Sequence, residues 1–472
     1  MIQRTLAIVF LLNLSVGSTA VAAKDQPLPK GLPKYGELQP FHLPRVTARQ
    51  LGNGLTLWML PRPGFPKVTF HVAVRGGFSA DPEDRPGLSE LLLATIDQGT
   101  TTRTARQIAE EMQGDGGDLN GTPGSESLVM GTSVLAAKSE DGFRVLADVV
   151  RNATFPDDEV ELAKRNAADH LQQQEADPSF LAERALARVL FTGHPYAVTS
   201  LTQDSIAKST PQELRSEYAQ RFRPDQAILI VIGDFDPVRM EQQAQTLLGG
   251  WAAPGGAPVP AVAAPTMAPP HAVYYVDRPD SVQTTLALGC LGPREGSADY
   301  AAAQVANALF GGMFGSRLTV NIREDKGYTY TPGSYLVSRR TTGFFQTWAP
   351  VRNEVTGATL NEIDYELNRM ATTTPSEGEL LHAERYLVGN HAIDLQAQSS
   401  VAKSLARLWI LGLPAEELGR EDEQISNVTV KQVDEAASKY LPAARQSIVA
   451  VGVEKIIRDQ FAPFALDVRP AP

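Results

Sequence analysis

Apolar and polar residues alternate along Leu55–Leu60 and Val68–Arg75, and again along Val273–Val276 and Thr284–Gly292. That period of two predicts a pair of strands in each half of the chain. Each pair is followed by an expected helix, Leu88–Asp97 in the first half and Tyr300–Leu309 in the second. Further helices and strands follow over Thr104–Gln113, Ser127–Leu135, Asp141–Asn152 and Pro156–Glu175. Strands and helices are mixed without strict β-α-β alternation. This predicts the α+β class, with helices packed on one face of a mainly antiparallel sheet.

The pattern repeats. Thr210–Gly233 reads TPQELRSEYAQRFRPDQAILIVIG and Thr429–Gly452 reads TVKQVDEAASKYLPAARQSIVAVG. Both segments open on a capping box, Thr210 with Glu213 and Thr429 with Gln432, and Pro211 suits a first helical position. Each helix stops near a proline, Pro224 or Pro442, and an apolar strand follows, Ala227–Gly233 or Ser447–Gly452. Matching caps, lengths and spacing predict an internal duplication. Between the halves, Ala252–His271 is rich in Pro and Ala and carries no Asp, Glu, Lys or Arg, so it reads as an extended linker. The expected organisation is a signal peptide over residues 1–23 and a Pro-rich lead over 24–45. An N-terminal domain over 46–251, the linker over 252–271 and a C-terminal domain over 272–472 complete it.

Length and composition fit this picture. A chain of 472 residues exceeds one ordinary domain, and 43% hydrophobic with 21% charged residues is usual for a globular protein. A net charge of −11 and the lack of any long Lys/Arg run argue against nucleic-acid binding. At the N-terminus Arg4, the apolar run Thr5–Val16 and Ala20-Val21-Ala22 read as a secretory signal cleaved after Ala22 or Ala23, which implies export to the periplasm. No other segment is apolar and long enough to cross a bilayer. Cys290 is the only cysteine, so no intrachain disulfide or cysteine-based zinc site can form; it reads as a small buried hydrophobe.

The segment Gly87–Thr100 has the frame of a metallopeptidase helix without its ligands. In the inverted motif H-x-x-E-H, two histidines four apart on one helical face hold zinc, and the Glu is the general base. The corresponding positions here are Glu90, Leu93 and Ala94. Leu and Ala neither bind zinc nor move a proton.

Together with Gly52-Asn53-Gly54-Leu55, Gly76-Gly77, Leu119-Asn120-Gly121, Phe155-Pro156, Gly193-His194-Pro195-Tyr196 and Ile232-Gly233-Asp234, this frame resembles the insulinase/pitrilysin family. These are the inverted-zincin metallopeptidases that include the mitochondrial processing peptidase. The resemblance runs from Val46 to Val453. It implies two homologous α/β-roll domains joined by a linker in a clam-shell arrangement. It also implies a third zinc ligand about 75 residues beyond the motif, near Leu171 here. Asp169 and His170 stand beside that position, and without the two helix ligands they read as a polar helix face. His382, Glu384 and His391 lack ligand spacing, so no metal is expected on this chain.

The second half carries Gly311–Leu318 and then Arg323–Tyr330. By resemblance, an Arg and a Tyr seven residues later reach across the chamber to substrate, which assigns that part to Arg323 and Tyr330, with Tyr328 as a rival. The Gly-rich run lacks the ending of a phosphate loop. Gly312 and Ser316 are taken as chamber-lining candidates, with Asn120 and Gly121 from the first half. The resulting expectation is the non-metal subunit of a two-chain zinc peptidase acting on peptides. An H-x-x-E-H-bearing partner would hold the zinc in a heterodimer. The other reading is a peptide-binding or structural homologue with no peptidase role.

Overall fold

The computed structural model describes Gly31 and residues 45–253, 255–266 and 272–472. The expected signal peptide and nearly all of the Pro-rich lead lie outside the described residues. So do Pro254 and residues 267–271 of the linker.

Two six-stranded sheets organise the chain. The first contains β1 (Thr47–Gln50), β2 (Thr56–Pro61), β3 (Lys67–Arg75), β4 (Asn120–Pro123), β5 (Ser127–Leu135) and β6 (Ala227–Gly233), in the order β1-β2-β6-β3-β5-β4. The second contains β7 (Val273–Asp277), β8 (Gln283–Gly292), β9 (Gly333–Ser338), β10 (Gly343–Arg352), β11 (Ser447–Gly452) and β12 (Val468–Pro470), in the order β12-β7-β11-β8-β10-β9. Five strands of each sheet correspond one to one. β2 and β6 run parallel, as do β7 and β11, and every other pair among those five is antiparallel. The sixth strands differ, since β1 is antiparallel to β2 while β12 is parallel to β7. The duplication read from the helix–strand endings therefore extends through both sheets.

Local chemistry explains the element ends. Thr429 and Gln432 form the complete reciprocal cap. Thr210 accepts the Glu213 N–H, but the Glu213 carboxylate turns away to pair with Arg85 at 3.3 Å. Strand β6 is buried at all seven positions, because apolar partners cover both of its faces.

Those partners come from different halves. One face of the first sheet packs Phe70, Val72, Met130 and Val231 against its own helices, including Leu88, Leu91, Leu92 and Phe143. On its opposite face Trp58, Leu60, Ile228, Ile230 and Ile232 pack against Val401, Ala402, Leu405 and Leu408 of the helix Gln398–Leu411, from the second half. The exchange is reciprocal. Ala182, Leu186, Val189 and Leu190 of the helix Pro178–Leu190 cover Ala287, Val449 and Val451 of the second sheet. Helices thus lie on both faces of each sheet, rather than on one as the pattern alone suggested. One helix per half cannot bury its stripe without the other half.

Candidate functional site

The helix Leu88–Thr95 is held at its start by a buried ion pair. Gly87 precedes it at φ +85°, and a Cβ there would lie 2.3 Å from the Leu201 backbone nitrogen, so the position needs glycine on both counts. The Ser89 N–H and hydroxyl donate to Asp81 Oδ1 at 3.1 and 2.6 Å. Arg221, 1% exposed, donates to Asp81, to the Ser89 hydroxyl, to Glu217 and to the carbonyls of Gly76 and Ala80. A buried guanidinium persists only with such full pairing. The scaffold that aims this helix is intact.

The chemistry on that helix is absent. Leu93 is buried, and strand β4 crosses it so closely that a Cβ on Gly121 would meet Leu93 Cβ and Met130 Sδ at 3.2 Å. Ala94 is exposed. Half-buried Glu90 has its carboxyl raised above the usual range by burial, against a hydrogen bond from the Leu201 backbone and the nearby His170. Glu90, Ala94, Asn166 and His170 line a cavity of about 310 Å3, whereas Leu171 points into the core. His170 therefore stands where the third ligand was sought, one residue before the expected Leu171. Zinc does not fit here. Two of the three motif positions lack donor atoms, and the carboxylate at the third is bound to backbone. Among the described residues no group of three or more His, Cys, Asp or Glu converges on a point.

In the second half the helix Tyr300–Asn307 continues as a π-helical turn, Ala308–Gly312, and Arg323 lies in another, Val320–Asp325. Asn321 anchors the second turn by donating to Glu362 and Glu366 at 3.0 and 2.9 Å. The Arg323 guanidinium is stacked between two rings, 4.6 Å from the centroids of both Phe314 and Tyr330, and pairs with Glu324 at 3.2 Å. Phe314 and Tyr330 are 66% and 76% exposed. The structure thus brings Arg323 and Tyr330 together on an exposed surface. Phe314, unassigned in the sequence, completes the stack. Tyr328 is half-buried and donates its N–H to the Ile322 carbonyl. Ser316 is fully buried and caps the Arg317–Thr319 turn through the Thr319 N–H, and half-buried Gly312 ends the π-helical turn beside Asn307. Neither Arg323 nor Tyr330 lines the cavity at Glu90.

A larger cavity, about 1040 Å3, lies between the halves. Thr69, His71, Asn120 and Gly131 contribute from the first sheet, Tyr335 and Arg339 from β9 and its turn, and Lys403 and Arg407 from the exchanged helix. Asn120 thus faces this cavity, while its neighbour Gly121 abuts Leu93. Glu126 ties the rim together. It accepts from the Tyr196 hydroxyl at 2.6 Å and from the Arg340 N–H at 2.8 Å. His194 Nε2 and the Thr341 hydroxyl both reach the Ala263 carbonyl, fixing the described part of the linker to the seam. Gly193–Tyr196 was read from sequence as a marker only. Glu126, Arg340 and Lys403 carry no such signal in the sequence, because isolated charged residues follow no period.

Cys290 is 3% exposed, with its thiol pushed up to about 11 by burial, and it donates to the Tyr440 carbonyl. His391 is 2.6 Å from Asp422.

Comparison with known proteins places these features. Residues 61–203 match the family model described as insulinase (peptidase family M16), and residues 208–387 match the one described as peptidase M16 inactive domain. An uncharacterized zinc protease of Rickettsia felis is 25% identical over 358 residues, covering 75% of this chain and 84% of that protein. A Helicobacter pylori protein named non-peptidase homolog YmxG is 24% identical over 378 residues, covering 78% and 85%. The crystal structure of a peptidase M16 inactive domain from Pseudomonas fluorescens superposes with a TM-score of 0.81 at 26% identity, over 87% of this chain and 98% of that one.

Proposed function

Because this chain belongs to the insulinase family, peptidase family M16, we propose that it is the non-metal subunit of a two-chain peptidase. Its partner would be a homologue carrying H-x-x-E-H, which would hold the zinc and supply the general base. The N-terminal signal pattern supports a periplasmic setting.

One asymmetry carries the reading. The helix that should hold metal has Leu93 where the general base belongs and Ala94 where a zinc ligand belongs, while Arg323 and Tyr330 stand ready on an accessible surface. When a peptide bond is hydrolysed, negative charge grows on the carbonyl oxygen. The Tyr330 hydroxyl can donate to that oxygen. The Arg323 guanidinium, held flat between Phe314 and Tyr330, presents fixed N–H donors to the substrate backbone. The edge strand β4, paired on one side only, offers its free backbone groups to an extended peptide.

The test is fluorogenic-peptide cleavage by the chain alone and with its zinc-bearing homologue. The chain alone should be inactive and the pair active. Arg323→Ala and Tyr330→Phe should each lower kcat/KM of the assembled pair about 10–100-fold. Strong zinc-dependent cleavage by the lone chain overturns the proposal, as does full activity of the doubly substituted pair. A second reading, a peptide-binding homologue without a peptidase role, draws on the non-peptidase name of the H. pylori relative. It predicts peptide binding and no cleavage in any combination.

A further inference from the structure

The cavity between the halves lies across the first sheet from the helix Leu88–Thr95. Phe70, Val72 and Met130 face that helix's core, while Thr69, His71, Gly131 and Ser133 face the cavity. Elsewhere this second face is apolar and covered by the helix Gln398–Leu411. Over β3 and β5 it turns polar and open.

His71 is set into this floor deliberately. It pairs in register with Gly131, and a Cβ on Gly131 would stand 2.6 Å from the imidazole, so only glycine leaves room for the ring. The residue is 8% exposed, yet Nδ1 has no hydrogen-bond partner. A buried polar atom left without a partner is costly and calls for an explanation. Lys403, from the exchanged helix, lies on the same wall and acts electrostatically on this imidazole. Among the described residues Lys403 has no hydrogen bond or ion pair.

The carboxylates of the wall are accounted for, while Arg339 lies over the Phe344 ring with its Nε unpartnered. Both Glu126 oxygens are taken by Tyr196 and Arg340, and Glu295 and Glu421 both face Arg407. Asp118 is solvent-exposed before β4. What remains on the wall is the solvent-exposed Lys403 ammonium, the Arg339 guanidinium with its unpartnered Nε, and the His71 imidazole. The volume suits a ligand the size of a small organic acid or a short peptide.

We infer that this cavity binds a carboxylate group, held between Lys403 Nζ and the His71 ring, at a site separate from the surface of Arg323 and Tyr330. A free organic acid or the C-terminus of a short peptide would present the same group. The site belongs to this chain alone, so its test does not depend on any zinc-bearing partner.

Calorimetric titration of the full chain with succinate, with Ala-Ala-Ala and with the amidated tripeptide distinguishes the sources. Saturable binding of succinate or of the free tripeptide, with the amide at least about ten-fold weaker than the free peptide, is the expected result. Binding of succinate alone identifies a small acid, and binding of the free tripeptide identifies a peptide C-terminus. Lys403→Gln, an exposed substitution that leaves the core untouched, should weaken binding about ten-fold or more. The His71 ring proton signals should shift on titration in the parent and not in the variant. If neither probe saturates, or if Lys403→Gln binds as tightly as the parent, the site does not exist.

Discussion

Arg221 and His71 show how single buried side chains settle matters that surface residues leave open. Arg221 satisfies five partners while 1% exposed. Arg221→Leu would strand the Asp81 carboxylate in the core. It should cost about 3–5 kcal/mol, read as a lowered urea midpoint with unchanged m. His71 is pushed down to about 4 by burial first and by Lys403 second. The folded protein therefore keeps this ring neutral where the unfolded chain, titrating near the ordinary value, takes up a proton. Between about pH 6.5 and pH 4 the unfolded state binds more protons, so stability falls as pH falls, by up to about 3 kcal/mol from this residue. Denaturation of the parent and of His71→Asn at pH 7 and pH 4 should show that loss in the parent and a correspondingly smaller loss in the variant. Neither behaviour was legible in the sequence, where one arginine in a helix and one histidine in a strand look ordinary.

At the scale of elements, most ends were legible. The strands Ala227–Gly233 and Ser447–Gly452 occur as read, because a capped helix, a proline and an apolar run are local signals. The helix expected over Leu88–Asp97 ends at Thr95, and that over Tyr300–Leu309 passes into a π-helical turn after Asn307. What the pattern could not show was where each helix packs. An amphipathic stripe declares that it needs a partner, not which one. The helix Gln398–Leu411 buries Leu405 against the first sheet. Leu405→Ala should therefore cost about 2–5 kcal/mol and speed amide exchange in β6, far away in sequence. A change confined to the second sheet would contradict the exchange.

At the largest scale, the reciprocal helices and the Glu126–Tyr196–Arg340 contacts pack the two halves against each other. Tyr196→Phe removes the hydroxyl shared by Glu126 and Thr341. It should cost about 1–3 kcal/mol and raise exchange in the turn between β9 and β10. The family and its two-part duplication were readable because they rest on linear spacing: the Gly87–Thr100 frame, the repeated helix–strand endings and the Arg323–Tyr330 interval. That Leu93 and Ala94 carry no metal-binding or proton-transferring atoms was readable for the same reason, since side-chain identity does not depend on the fold. Only the tertiary structure decided that Glu90 is bound to Leu201, that Phe314 completes the Arg323 stack, and that Asn120 and Gly121 look into different spaces. It also decided that His71 and Lys403, 332 positions apart, share a cavity wall. These are consequences of pairing and packing between distant segments, and a one-dimensional pattern records local preference, not which distant surfaces meet.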